Sequence, residues 1–127
     1  MVSSEGVGRA GEFLVASILE ARGIRASHVA MYGTDLWVET PSGRMLRVQV
    51  KTSSKPAKEM RGRSQAYRFL NVSRPRAGIP DPHLYCLVAL DRGLMVVVDR
   101  MSKGGSRVAV SRFTEAEQEA GIVEYLY

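Results

Sequence analysis

The stretch RVQVKTS, Arg47–Ser53, constrains this chain more than any other. Its period of two puts Val48 and Val50 on one side of a strand, and Arg47, Gln49, Lys51 and Ser53 on the other. Such a strand belongs to a sheet with one apolar face covered and one face wet. A wet face is ordinary. A carboxamide and an amine side by side on it need a reason.

The rest of the chain supplies the partners for that strand. Leu14, Val15, Ile18, Leu19 and Ala21 recur at helical spacing and Gly23 is placed to end the helix, so a first helix is expected from about Val7 to Arg22. IRASHVAMYG reads as a short strand and turn. DLWVE and MLRVQVKT read as strands joined by the hairpin turn TPSGR. SSKPAKEMRGRS is a polar, basic loop with no apolar face, YRFLNVS resumes as a strand, and RPRAGIPDP is a loop. LYCLVAL and GLMVVVDR are apolar strands around a tight turn, SKGGS is a loop, and RVAVSRF is a further short strand. Thr114 followed by Glu117 predicts a capping box opening a short helix. The closing GIVEYLY is expected to leave apolar groups outside as a partner contact. The order predicts an α/β (α+β) fold around one mixed sheet flanked by helices, in a single domain of 127 residues.

Composition narrows the function classes. No apolar run approaches the roughly 20 residues that span a bilayer, and MVSSEGVGRAGE lacks the pattern of a secretory signal. The lone Cys86 excludes a disulfide framework and a cysteine metal cluster, and a cytosolic protein is the expectation. The formal net charge is +5, unevenly spread: ten cations stand between Arg44 and Arg76 against one acid, Glu59. So lopsided a segment points to a polyanion, most simply nucleic-acid phosphate.

Chemistry enters through four residues. Glu12 flanks the helix stripe that faces the sheet, where a carboxylate loses hydration unless something meets it; a helix-start acid beside Arg9 is the plainer account. Asp35 stands at the mouth of the LWVE strand, where Asp often caps a turn. Gln49 and Lys51 project to one face, about 6–7 Å apart. The TPSGR hairpin can set Asp35 beside them, and the helix can lay Glu12 over the same edge. Oxygen donors of this kind suit Mg²⁺, with Mn²⁺ as a substitute. A bound cation lowers the pKa of an attacking water, and an adjacent amine steadies developing charge. Phosphodiester hydrolysis fits the set and the basic surface together.

The Glu within GEFLVASILEARG, the TDLWVE strand and the QVK that follows resemble the PD-(D/E)XK nuclease superfamily over roughly the first 55 residues. Among its members the chain is similar in size and layout to small archaeal-type Holliday junction resolving enzymes. Its QxK form also resembles homing-type and restriction-like endonucleases. The resemblance implies a restriction-endonuclease-like core with Asp35 as principal metal ligand and Glu12 supporting the ion or its waters. It implies Gln49 in the second ligand position, Val50 lending its backbone carbonyl, and Lys51 as the catalytic lysine. Arg9, Arg47, Ser53, Lys55, Lys58, Arg61, Arg63 and Arg68 are the expected DNA contacts. Thr34 stands where the motif has proline, and Gln49 brings an oxygen without a charge. Glu39 is no replacement, since four residues along a strand is about 13 Å.

The leading expectation is a Mg²⁺-dependent endonuclease resolving four-way DNA junctions as a homodimer. A sequence-specific restriction-like or homing-type endonuclease is the alternative, favoured by Gln49. A non-catalytic nucleic-acid-binding module on the same fold and a plain basic structural domain complete the set.

Overall fold

The computed structural model describes residues 3–31, 33–57, 65–70, 78 and 80–127, apart from the Ala30 side chain. Ser3 opens the first helix: its Oγ accepts a 3.0 Å bond from the Gly6 amide. The cap starts α1 at Ser4, before the expected Val7, and α1 runs Ser4–Glu20. Gly23, with φ of 76°, then turns the chain away, as the sequence predicts.

Strands β1 (Arg25–Met31), β2 (Thr34–Glu39) and β3 (Met45–Ser53) follow, then β4 (Ala66–Phe69), β5 (Leu84–Ala89), β6 (Leu94–Val98) and β7 (Ser106–Ala109). A 3-10 turn at 110–112 leads to α2 (Glu115–Leu126). A five-stranded sheet has the order β1-β2-β3-β5-β6, and β4 and β7 pair separately as a two-stranded ribbon. β3 and β5 are parallel and the other neighbours antiparallel, so the sheet is mixed as expected.

The two sheet faces are covered differently. On the first, Leu36, Val38, Val48, Val50, Cys86, Val88, Met95 and Val97 pack against Val15 and Leu19 of α1 and Ile122 and Leu126 of α2. On the second, Leu87, Ala89 and Val96 meet Tyr67, Phe69, Val108 and Phe113 from the ribbon and the turn after it. Arg22 of the segment after α1 donates to the Glu119 carboxylate on α2, with Nε at 3.1 Å from Oε2.

Three expectations need correcting. GIVEYLY belongs largely to α2, with Ile122 and Leu126 at 0% exposure in the core, because Thr114 Oγ1 caps the Glu117 amide and starts a helix that carries them inward. Val123 and Tyr127 alone of its large apolar groups face outward. RVAVSRF is extended only to Ala109, where the chain tightens into the 3-10 turn and Phe113 is drawn into the second cluster. The YRFLNVS strand ends at Phe69, with Leu70 exposed beyond it; residues 71–73 of that expectation lie outside the described residues.

Candidate active site

The β2–β3 register pairs Leu36 with Val48, so one step further Asp35 comes level with Gln49. Backbone pairing stops there and a side chain takes over: Asp35 Oδ2 accepts a 2.7 Å bond from the Val50 amide. An extended residue turns its N–H and C=O to the same edge, so the Val50 carbonyl also faces the Asp35 side. The Val50 side chain is buried in the first core cluster and anchors the strand. Gln49 and Lys51 share the opposite face and lie beside Tyr85 and Leu87 of β5.

Glu12 reaches this edge because α1 touches β3 closely. Gly11 is buried against Thr52; a Cβ on it would collide with Thr52 Oγ1 and stand 2.9 Å from Thr52 Cβ. Burial raises the Glu12 pKa, the Asp35 charge raises it further, and His28 and Arg9 oppose the shift. Asp35 is raised by burial, against the Val50 hydrogen bond, Lys51 and His28. Lys51 is lowered by burial, against the pull of Asp35. Two carboxylates that repel each other and an amine pressed toward neutrality thus meet at one sheet edge.

That arrangement fits a hard cation. Among the described residues no three His, Cys, Asp or Glu side chains close around one point. The available donors are instead the second Asp35 oxygen, the Gln49 carboxamide oxygen and the Val50 carbonyl, with Glu12 behind them. A sparse oxygen set suits an ion that keeps several waters, and a cation would relieve the repulsion between Glu12 and Asp35.

The expected DNA contacts fall into several groups. Arg9 is exposed, its guanidinium 5.8 Å over the Phe13 ring. Arg47 is held: its amide donates to His83 Nδ1 at 2.9 Å and its Nη2 to the Asp81 carbonyl at 3.1 Å. Its Nε is buried with no partner among the described residues. The Ser53 hydroxyl donates to the Arg68 carbonyl, while the Arg68 side chain and Lys55 are exposed. Lys58, Arg61 and Arg63 lie outside the described residues.

Two site neighbours carry no signal in the sequence. His28 Nε2 stands 3.8 Å from Glu12 Oε1, and its ring centroid is 4.8 Å from that of Phe13. Tyr85, level with Gln49, has its phenol pKa raised by burial and by Asp81. Both places depend on pairings between strands, which local residue patterns do not reveal.

No family model matches the sequence, and no curated protein does. A bacterial homing endonuclease, I-Ssp6803I, matches in structure with a TM-score of 0.69 at 16% identity, over 98% of this chain and 92% of that one. The chain has the fold of that endonuclease. At 98% coverage of this chain, the likeness extends over a whole architecture and not a shared fragment.

Proposed function

We propose that the protein is a divalent-metal-dependent DNA endonuclease of the PD-(D/E)XK type in its QxK form. The observation that carries this is the Asp35 carboxylate fixed on the Val50 amide beside Lys51, with Glu12 electrostatically coupled to it. Asp35, Gln49 and the Val50 carbonyl would hold one Mg²⁺ or Mn²⁺, with Glu12 receiving its waters. The bound cation supplies an acidified water and offsets charge on the phosphodiester. Lys51 Nζ donates to the phosphoryl oxygen on which negative charge builds; partial burial makes that contact stronger than it is in water. Gln49 orients without adding charge, so the set suits a single ion.

Duplex DNA cut at a recognised sequence is the preferred substrate reading. Supporting it are the QxK motif and a likeness, over nearly the whole chain, to a protein described as a homing endonuclease. The four-way junction and the homodimer follow from the resemblance to resolving enzymes alone. A dimer would place two sites for paired incisions, and sedimentation at several concentrations tests it.

The deciding experiment supplies Mg²⁺ with a randomised duplex pool, a four-way junction and single-stranded DNA. Cutting at one duplex sequence supports the reading, and Lys51→Ala should bind but not cut. Paired nicks confined to the junction would move the assignment to a resolving enzyme. No cutting with Mg²⁺ or Mn²⁺ ends the catalytic proposal.

A further inference from the structure

The β4–β7 ribbon holds a feature the candidate active site does not use. Its register sets Arg68 directly across from Arg107. Tyr67 and Phe69 point into the core, so the alternate residue Arg68 and its partner take the outer side, and both are exposed. Opposed residues on adjacent strands have Cβ atoms about 4.5–5.5 Å apart, and like charges there are destabilising. A cleft of about 400 Å³ opens at this pair, walled also by Leu70, Gly104, Gly105 and Ser106. Among the described residues, those walls bring two guanidinium groups and no carboxylate.

The SKGGS loop contributes backbone to the cleft. Gly104 and Gly105 have φ of 81° and 123°, which side-chain-bearing residues rarely adopt. A Cβ on Gly105 would collide with the Phe69 carbonyl oxygen and stand 3.0 Å from Leu70 Cα, so the loop lies against the end of β4 as tightly as glycine permits. At Gly104 a Cβ would meet nothing within 4 Å, leaving that backbone open to a ligand. Paired guanidinium forks over bare backbone are suited to a phosphate oxyanion.

We propose that Arg68, Arg107 and the Gly104–Gly105 turn form a phosphate site that holds a DNA backbone phosphate near the point of cleavage. The ribbon is tied to the working strand at Ser53, whose hydroxyl donates to the Arg68 carbonyl. Ser53 lies on the same strand face as Lys51, about 7 Å along β3. That DNA is the source of the phosphate rests on the nuclease reading; the oxyanion chemistry does not.

The test is anisotropy of a labelled duplex without divalent cation, across a salt series, for wild type, Arg68→Gln, Arg107→Gln and the double variant. Each single variant should lower affinity about 5-fold near 0.15 M salt and reduce the slope of log K against log salt by about 1, whatever the duplex sequence. Because both side chains grip one phosphate, the double variant should lose little more than either single one. Losses that add, or no loss in either variant, overturn the shared site. A wild type that binds no DNA refutes the nucleic-acid source by itself. Inorganic phosphate then decides: saturable ¹⁵N shifts at the Gly104 and Gly105 amides, abolished by Arg68→Gln, keep an oxyanion site for free phosphate, and their absence removes it. Thermal midpoints close to that of wild type confirm intact variants.

Discussion

The second face of the central sheet is two regions with opposite fates. Over β5 and β6 it is roofed by the ribbon, and Leu87, Ala89 and Val96 are buried beneath Tyr67, Phe69 and Phe113. Over β2 and β3 the same face carries Asp35, Gln49 and Lys51, none of them in either core cluster. One strand pairing separates these regions, since Lys51 is level with Leu87. The roofed half gains stability from packing. The half beside it keeps half-buried charges that packing alone disfavours, which is what a site for an ion and a phosphate requires.

The largest effect that should respect this division is Phe113→Ala. Phe113 is 1% exposed, with Tyr67 edge-on at 4.8 Å between centroids. Its truncation should cost about 3–5 kcal/mol of stability, read by denaturant unfolding, while the Mg²⁺ midpoint of the folded protein stays put. A shifted midpoint would mean the two halves are not separate.

Asp35→Asn attacks the other half. Cutting should fall about 10²–10³-fold, as when an enzyme loses one charge-stabilising group, yet the ion-free protein should melt at a higher temperature. Burial holds Asp35 above the usual carboxylate range. A carboxyl whose folded pKa exceeds its unfolded one makes the fold lose stability as pH climbs from the unfolded value to the folded one. The gain from Asn should therefore be present at neutral pH and vanish in acid where Asp35 is already protonated. Cutting by the wild type should rise through those raised carboxylate values and decline on an alkaline limb below that of an ordinary lysine, because burial lowers Lys51. An Asn variant that melts lower at neutral pH would show that the carboxylate's interactions outweigh its burial.

Gly11 joins the covered face to the site. A methyl group there collides with Thr52 and drives α1 off β3. Gly11→Ala should cost about 1–3 kcal/mol and weaken Mg²⁺ binding, because Glu12 moves with the helix. Thr52→Ala in the same protein should restore part of both. Normal melting and normal Mg²⁺ affinity in the single variant would remove the close approach from the account.

How much of this was legible beforehand depends on range. The β3 alternation, the hairpin carrying Asp35 level with Gln49, and the Thr114 cap are each written within a few residues, and they stand where the sequence places them. Fold class followed from their order. The Arg68–Arg107 opposition joins segments far apart in the chain, with nothing local to each that names the other. His28 was hidden for a related reason: IRASHVAMYG has no period to choose a face, and the β1–β2 register itself shifts after His28. In GIVEYLY the apolar residues form a helical stripe, Ile122 and Leu126 inward, that a segment of seven residues is too short to distinguish from a loose apolar tail.

Gln49→Glu gives the smallest and most discriminating change. If the carboxamide oxygen ligates the ion, a carboxylate in its place adds charge to the same coordination set, and affinity of such sites follows ligand charge. The Mg²⁺ midpoint should then fall about 10-fold, equal to about 1.4 kcal/mol. Without the ion, the same substitution adds a third acid to an edge where the Asp35 charge already raises Glu12, so the ion-free protein should melt lower. Opposite signs with and without Mg²⁺ are the signature of a ligand position. A residue that only flanks the site would lower stability in both conditions and leave the midpoint where it was, and the open half of the face would then hold its ion through Asp35, Glu12 and the Val50 carbonyl alone.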